Sequence, residues 1–384
     1  MNPKLIRTST VAMSLDKLLE GQLSFLNKHF HVKAVASGGA LLAKVAKRES
    51  VEVIAIDMER KISPIKDVCS LLRLILLFQK EKPLIVHSIT PKAGLLSMMA
   101  AFITRVPIRM HTYTGLIFPS KTGILQKILI LMDKLLCACA TNVYPEGEGV
   151  KRDLLQYGIT KKPLKVLANG NVNGINLEYF NKEKLKDSAL DALKIRLGIA
   201  DKNLVFVFVG RLVGDKGINE LVAAFKKLQS NNKFDAQHPK LLLVGSFEQE
   251  LDPLRIETIL EIENNELIIS VGYQDDVRPY LAISDVFVLP SYREGFPNVV
   301  LQAGAMGLPC IVTDINGSNE IIQQSVNGQI IPKKSVIDLF NAMELYLNNI
   351  NLLNQHQSKA RELIKEKYEC QVVWDALLEE YKQL

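Results

Sequence analysis

The sequence predicts an α/β protein of two domains, each built on a parallel sheet that helices cover. The chain has 384 residues, more than a single hydrophobic core usually serves. Short uninterrupted apolar runs alternate with longer helical patterns, as they do where both faces of a parallel sheet are buried. With 48% hydrophobic and 23% charged residues, the composition is that of an ordinary globular protein.

In the first half, strand-like runs follow the polar lead MNPKLIRTST and are separated by helical patterns. We expect strands near residues 51–56, 84–86, 108–110, 142–144 and 165–167. Two strongly apolar helical patterns, residues 65–80 and 123–140, carry lysines. They are either core helices packed on the sheet or helices with one face in a lipid interface.

The second half repeats the alternation from residue 204 to residue 331. Strands are expected at 204–209, 241–244, 268–271 and 286–289. The charged stretch 181–200 has no strand pattern, so we place the linker there and the domains at residues 1–187 and 188–384. A helical segment from about residue 336 to residue 384 should pack on the second domain.

The net charge of +6 is divided unevenly along the chain. Residues 1–187 hold 28 Lys and Arg against 15 Asp and Glu, whereas residues 188–384 hold 19 against 26. A basic half suits nucleic acid or an anionic membrane surface. Zinc-finger spacing, a helix-turn-helix signature and an aromatic stacking platform are all missing from the sequence. We therefore expect the membrane surface and no nucleic acid as a partner.

Cysteine usage and hydropathy indicate the cellular compartment in which the protein is expected. The five cysteines are odd in number and scattered, which favours a reduced, cytoplasmic interior over a disulfide framework. No apolar run approaches the roughly 18 residues of a membrane-spanning helix. The expected location is the cytoplasm, either free or peripheral at the cytoplasmic face of the inner membrane.

The most informative segment is PSYREGFPNVVLQAGAMGLPCIVTDINGSNE, residues 290–320. It starts where the strand at 286–289 ends, turns at Glu294, Gly295 and Pro297, and continues as a helical pattern over 298–306. The first N–H groups of such a helix bind phosphates. Glu294 is either an acceptor for ligand hydroxyls or a residue that merely caps the turn.

A second segment, GRLVGDKG, follows the strand at 204–209. The guanidinium of Arg211 has the geometry to bind a phosphate through two hydrogen bonds, whereas Lys216 offers a single point charge. Alone, such a loop is also compatible with solvated cations.

Together these segments resemble the GR…KG loop and EGF…E signature of family 4 glycosyltransferases. The resemblance covers nearly the whole chain. Within the family, the chain is similar to bacterial enzymes that build capsular, O-antigen or lipid-linked glycans. It implies a GT-B fold, in which two Rossmann-like domains face each other across a cleft and the last helix, about residues 366–384, returns to the first domain. It also implies a retaining transfer from a nucleotide sugar, with UDP as the expected nucleotide, to a glycan or polyprenyl-diphosphate-linked acceptor.

The resemblance assigns roles to particular residues. Arg211 and Lys216 contact the donor diphosphate, Glu294 handles the sugar hydroxyls, and Gln302 stands where the family has the Glu that binds ribose. His111, placed at a strand end, either lies near the reacting end of the sugar or is a satisfied strand-edge histidine. The other expected donor contacts are Gly210, Gly295, Phe296, Pro297, Asn298 and Val299. No metal ion is expected, because fixed cations and helix ends would meet the charge on the leaving diphosphate when the sugar–phosphate bond breaks.

Two departures from the family pattern concern the donor. An amide at Gln302 still hydrogen-bonds hydroxyls but lacks the strength of a charged acceptor. The Gly-Gly loop that family members often have after the first strand is also missing, and Ser9 or Thr10 is the alternative contact there. Asp275 and Asp276 do not form a DxD pair, and we interpret them as solvated or as closing a turn.

Two further segments concern the acceptor. HSITPKAG resembles the HSxxPKAG segment of bacterial family members, so Lys92 either meets an acceptor phosphate or is solvated at a helix start. The polar cluster Asn169, Gly170, Asn171 and Asn173 forms a turn or contacts acceptor.

Two alternatives to a transferase remain open. A catalytically silent nucleotide-sugar binder is compatible with Gln302 and the missing glycine pair. An NDP-sugar 2-epimerase fits these motifs poorly. For the transferase, the family implies attack on the same face as the departing phosphate, with the leaving oxygen taking the acceptor's proton.

Overall fold

A computed structural model describes residues 2–59, 63–229, 239–248, 250 and 252–384. The chain forms two compact units. The first contains Met1–Gly174 and Cys370–Leu384, and the second contains Ile175–Glu369.

The first unit contains a six-stranded parallel sheet, in the order β3-β2-β1-β4-β5-β6. Its strands are β1 (Lys4–Thr8), β2 (His31–Ala36), β3 (Glu52–Ala55), β4 (Ile85–Ile89), β5 (Ile108–Tyr113) and β6 (Asn142–Pro145). The connecting helices are α1 (Ala12–Leu18), α2 (Gln22–Leu26), α3 (Ala40–Glu49), α4 (Pro64–Glu81), α5 (Pro91–Ile103), α6 (Gly123–Cys139) and α7 (Glu148–Gln156).

Helices cover both faces of this sheet and leave two separate cores. One core includes side chains of α1, α2 and α3, and the other includes side chains of α4, α5, α6 and α7. Helix α4 packs on α5, which packs on α6. The inward stripe of α4 contains Leu74 and Phe78, both almost fully buried.

The second unit has a matching six-stranded parallel sheet, in the order β12-β11-β10-β7-β8-β9. Its strands are β7 (Val205–Val209), β8 (Lys240–Val244), β9 (Ile268–Ser270), β10 (Val286–Leu289), β11 (Cys310–Thr313) and β12 (Gly328–Ile331). Its helices are α8 (Asp187–Arg196), α9 (Ile218–Gln229), α10 (Ile256–Asn264), α11 (Arg278–Ala282), α12 (Asn298–Ala305), α13 (Ser318–Ile321), α14 (Val336–Asn348) and α15 (Ile350–Tyr368).

The chain then enters α16 (Cys370–Gln383), which belongs to the first unit. Leu377, Leu378 and Tyr381 of this helix are buried with the residues of α1, α2 and α3. The segment expected as one helical region from residue 336 is thus three helices, interrupted at Asn349 and Glu369.

Two details differ from the sequence-based expectation. Residues 165–167 are not a strand, because only Leu164 makes an isolated bridge, to Val143 of β6. The stretch 181–200 lies inside the second unit, where Leu190 and Leu193 of α8 are buried in the core. The division between units therefore comes earlier in the chain, after Gly174, than the expected boundary at residue 187.

Across the described ranges, none of the helices combines the length and hydrophobicity needed to span a bilayer.

Candidate functional site

The second sheet has its topological switch point between β7 and β10. From β7 the chain proceeds to β8 and β9 on one side, while β10, β11 and β12 lie on the other. The loops after two such strands diverge, and ligands of open α/β sheets bind in the crevice between them. Arg211 and Lys216 follow β7, and Glu294 follows β10. Topology alone therefore brings these three residues to one place.

The two loops are joined by an ion pair. Lys216 Nζ donates to Glu294 Oε1 at 2.5 Å, and the two side chains are 18% and 16% exposed. Close by, Tyr292 N donates to the carbonyl of Asp215 at 2.8 Å. Arg293 donates to the Asp215 carboxylate at 3.0 Å. A cation and a carboxylate are thus held side by side and partly screened from water.

A glycine allows this close approach. Gly217 ends the 3₁₀ turn Gly214–Lys216 with φ 72°, in the left-handed region. A Cβ at this position would lie 2.1 Å from the carbonyl oxygen of Pro290, which follows β10. Both the backbone angle and the available space require glycine at this position. Gly217, the last residue of the GDKG segment, therefore allows the two loops to approach closely.

Arg211 lies at the outer part of the same loop. Its Nη1 donates to Glu248 Oε2 at 2.8 Å, and its side chain is 45% exposed. The hydrogen bond that Arg211 donates to Glu248 is the main cause that raises the pKa of Arg211. The guanidinium is positioned by a carboxylate yet remains accessible to a ligand.

The helix after Glu294 completes the site. Helix α12 begins at Asn298 after Pro297, so the positive end of its dipole lies at the carboxyl edge of the sheet. Gln302 is half-buried, between the buried Leu301 and Ala303.

Four of the other expected donor contacts, Phe296, Gly295, Val299 and Gly210, also contact neighbouring groups of the second unit. The ring of the buried Phe296 packs against Tyr368 with centroids 5.6 Å apart. The carbonyl of Gly295 would lie 2.3 Å from a Cβ at Gly317. Val299 is half-buried against the core, and Gly210 donates its N–H to Val244 O at 2.9 Å. The ten expected donor-site residues thus all lie in the second unit, on the β7 and β10 connections.

Sequence reasoning missed Asp215 and the two serines Ser291 and Ser318. Asp215 accepts hydrogen bonds from Tyr292 and Arg293 and so connects the two loops. Its position inside the GDKG segment is the signal that could have identified it. Ser291 and Ser318 are buried, and among the residues that the structure describes neither hydroxyl has a hydrogen-bond partner. Serines in loops are common, so no sequence signal distinguishes these two.

His111 has different surroundings from those expected. It lies inside β5, which continues to Tyr113, and not at the strand's end. Ser88 shares a hydrogen bond with His111 Nδ1 at 2.8 Å, and the ring packs edge-on against Tyr113 at 4.5 Å. Burial lowers the pKa of His111 to about 3. The imidazole is therefore a neutral core group, close enough to Gly94 that a Cβ there would lie 2.4 Å from it.

Lys92 is not solvated. It is 8% exposed, and its ammonium donates to both carboxylate oxygens of Asp67 at 2.8 and 2.9 Å. Thr10, at the end of β1, shares a hydrogen bond with the hydroxyl of Thr90 at 2.8 Å. Ser9 donates its hydroxyl to the carbonyl of Val11. The bond between the two threonines lies at the topological switch point of the first sheet, between β1 and β4.

The asparagine cluster forms a turn. Asn171 has φ 65°, and its side-chain oxygen accepts from the N–H groups of Asn173 and Gly174. Asn173 Oδ1 accepts from Gln22 and Trp374. Asp276 likewise closes a turn, since it accepts from the backbone and guanidinium of Arg278.

A pocket of about 340 Å³ lies within the first unit, at the carboxyl ends of β1, β4 and β5. We call it the strand-end pocket. Its wall is formed by Thr10, Val11, Ser14, Thr90, Pro91, Lys92, Leu95, Tyr113, Gly115, Leu116, Ile117, Leu129, Met132 and Asp133. Burial raises the pKa of Asp133 to about 7.

In the part of the chain that the structure describes, no three His, Cys, Asp or Glu side chains converge as ligands for a metal ion.

The family of the chain follows from two comparisons. Residues 26–170 match the family described as glycosyl transferase 4-like domain, and residues 191–363 match glycosyl transferases group 1. The capsular polysaccharide biosynthesis glycosyltransferase CapM of Staphylococcus aureus is 34% identical over 378 residues, 98% of this chain and 96% of that protein. The chain belongs to the family 4 glycosyltransferases. It is a glycosyltransferase, as the two motifs indicated.

Other relatives agree with this assignment. The transferase is 31% identical over 288 residues to the UDP-Gal:alpha-D-GlcNAc-diphosphoundecaprenol alpha-1,3-galactosyltransferase of Escherichia coli, a match that covers 74% of this chain and 71% of that enzyme. HepE of Anabaena, solved in complex with UDP, superposes with a TM-score of 0.81 at 17% identity and with all of both chains covered. That likeness confirms the expected GT-B fold.

Proposed function

We propose that the transferase moves a sugar from a UDP-sugar to a lipid-linked acceptor with retention of configuration and without a metal ion, in the synthesis of a bacterial surface polysaccharide. The observation that carries the proposal is the Lys216–Glu294 pair at the switch point of the second sheet. It joins a phosphate-binding cation to a hydroxyl-binding carboxylate within 2.5 Å. A sugar linked to a diphosphate presents these two groups next to each other.

Four donor-site side chains and one helix end have a part in this proposal. Lys216 and Arg211 bind the donor diphosphate, and a carboxylate holds each of them in place. The N-terminal end of α12 adds the positive end of its dipole. Glu294 orients the sugar through its hydroxyls, and Gln302 contacts the ribose. His111 is left out of this set because its ring is buried and already bonded to Ser88.

The relatives support the choice of donor and acceptor. The Escherichia coli enzyme is named for UDP-Gal and for a diphosphoundecaprenol acceptor, and HepE was solved with UDP. The Staphylococcus aureus relative is named for capsular polysaccharide biosynthesis.

The apolar outer faces of α4 and α6 support attachment to a membrane. Both helices bury one side in the core, as one sequence interpretation held, but they also expose large apolar side chains on the other side. On α4 these are Ile65, Val68, Leu72 and Leu76, and on α6 they are Ile124, Leu125, Ile128, Leu131 and Leu135. Lys66, Lys127 and Lys134 lie on the same helices. Apolar side chains mixed with lysines suit the surface of an anionic bilayer, so we define this set of nine as the α4–α6 face and assign it to the cytoplasmic leaflet.

The proposal is tested by a panel of UDP-, GDP- and ADP-sugars. Saturable binding and slow hydrolysis of a UDP-sugar, unaffected by a chelator, is the expected result. Loss of turnover on adding chelator would contradict the metal-free mechanism, and a GDP- or ADP-sugar as the sole ligand would contradict the nucleotide.

Glu294→Ala provides the matched test of the site. Removal of one group that stabilises a transition state typically costs 10²- to 10³-fold in turnover, and we expect at least that loss with the fold retained. Glu248→Ala, which releases Arg211 without removing it, should cost much less. An unchanged rate in Glu294→Ala would remove Glu294 from the proposed mechanism.

A further inference from the structure

Three polar side chains of the strand-end pocket, those of Thr10, Thr90 and Lys92, already have partners within the first unit. Thr10 and Thr90 share a hydrogen bond at 2.8 Å, and the N–H of Ala93 donates to Thr10 Oγ1. Lys92 gives two hydrogen bonds to Asp67. These three side chains are therefore committed within the protein and are not free for a sugar or a phosphate.

The pocket also presents little net charge. The ion pair with Asp67 balances the ammonium of Lys92. Asp133 contacts the hydroxyl of Tyr113 at 3.4 Å, and its raised pKa of about 7 leaves much of it protonated near neutral pH. Among the described residues that line the pocket, a diphosphate carrying several negative charges finds no unbalanced cation.

What remains is an apolar wall. Val11, Leu95, Leu116, Leu129 and Met132 come from four different parts of the fold and enclose about 340 Å³, within the range of about 300–1,000 Å³ for small-molecule sites.

The pocket is next to the α4–α6 face. Ile117 lines the pocket and is 42% exposed. Leu129 and Met132 line it from α6, while Ile128 and Leu131 of the same helix are exposed members of the face. Helix α6 therefore contributes both to the pocket wall and to the face at which an apolar chain would leave a bilayer.

We propose that the strand-end pocket holds the isoprenoid chain nearest the diphosphate of the acceptor, while the diphosphate itself stays outside. This inference rests on the proposed lipid-linked acceptor and assigns it a binding site in the first unit. The pocket selects for an apolar chain because its wall is largely apolar and Thr10, Thr90 and Lys92 are committed, so the enzyme distinguishes a lipid-linked glycan from a free glycan at this point.

The test is equilibrium dialysis with tritiated farnesol and farnesyl diphosphate, used below their aggregation concentrations. We expect both to bind saturably, and pyrophosphate and N-acetylglucosamine not to displace them. Displacement by pyrophosphate or by the sugar, or the absence of farnesol binding, would overturn the assignment.

Two matched variants locate the binding. Leu129→Glu places a charge in the pocket wall and should weaken farnesol binding at least tenfold. Leu155→Glu makes the same change at a leucine of α7 that is 54% exposed, and it should leave binding within twofold. Equal effects of the two variants would overturn the proposal.

A third variant keeps the test valid if Leu129→Glu fails to fold. Met132→Trp fills the pocket without adding charge and should also weaken farnesol binding, and normal binding in this variant would contradict the site. UDP binding, measured in every variant, separates the two levels of inference. Retained UDP binding with lost farnesol binding supports the pocket. UDP binding absent from the unaltered protein contradicts the proposed function itself.

Discussion

At the scale of single residues, the proposed donor site contains two pairs in which a carboxylate already binds a cation. Lys216 is paired with Glu294, and Arg211 is paired with Glu248. A carboxylate partner keeps each flexible side chain in one region and lowers the conformational entropy lost when a phosphate binds. The sequence predicted Lys216 and Glu294 as separate contacts. Their direct contact was not predictable, because it depends on the order of strands in the sheet.

Gln302 offers a test of the departure from the family pattern. Gln302→Glu restores a charged acceptor, and a hydrogen bond to a charged group is about 1 kcal/mol stronger than a neutral one. We expect the dissociation constant for UDP to fall about fivefold, as measured by calorimetry.

The control for this change is Gln355→Glu, which adds the same charge at an exposed position of α15. It should leave UDP affinity unaltered. Weaker binding of UDP by Gln302→Glu than by the parent would show that this side chain does not face the ribose.

Asp133 should make stability depend on pH. Burial raises the pKa of Asp133 to about 7 from 3.8, so between these values the folded protein keeps a proton that the unfolded chain has released. Stability due to this group therefore falls as the pH rises through that interval. Asp133→Asn removes the effect, and relative to the parent it should be more stable at pH 8 than at pH 4.

The size of this difference follows from the pKa shift. Each pKa unit is worth about 1.4 kcal/mol, and because the side chain is only half-buried we expect a difference on the order of 2 kcal/mol. Thermal unfolding at both pH values measures it. An equal offset between variant and parent at the two values would contradict the assigned protonation.

At the scale of elements, the sequence predicted the kinds of structure better than the burial of individual side chains. The apolar runs of β7, β8 and β10 were recognised because both faces of these strands are covered. His111 was misplaced because β5 continues past the position where its apolar pattern stops. Lys92 was expected in solvent or on a phosphate, since no local pattern shows that Asp67 of α4 reaches it.

Gly217 is predicted to set the spacing between the β7 and β10 loops. In Gly217→Ala the positive φ costs about 1–2 kcal/mol, and the new Cβ must also push away the Pro290 carbonyl, which lies 2.1 Å from it. We expect lower thermal stability together with at least tenfold weaker UDP binding.

Gly307→Ala is the matched control for the backbone angle. Gly307 also has positive φ, 84°, but a Cβ there meets nothing within 4 Å. This variant should lose some stability and keep its UDP affinity. If both glycine variants bind UDP equally, the contact with Pro290 does not position the site.

At the scale of the whole molecule, charge and exposed apolar surface together predict attachment to membranes. The first half of the chain is basic, and the α4–α6 face is apolar with lysines on its helices. We expect sedimentation with anionic liposomes at low salt and release in about 1 M salt, where the Debye length is about 3 Å. Neutral liposomes should retain less protein.

Two isoleucines of nearly equal exposure provide the matched pair. Ile124, on the α4–α6 face, is 78% exposed, and Ile195, on α8 of the second unit, is 80% exposed. Ile124→Glu should reduce liposome binding severalfold, whereas Ile195→Glu should not. Equal binding of the two variants would exclude the α4–α6 face as the docking surface.

The return of α16 to the first unit has a consequence for synthesis on the ribosome. Tyr381 accepts a hydrogen bond of 2.7 Å from Arg7, whose side chain is almost fully buried. Domains usually fold as units in the order in which they are made, but here residues 175–369 must be translated between Arg7 and its partner. The unit that is begun first can therefore be completed only after the whole second unit has left the ribosome.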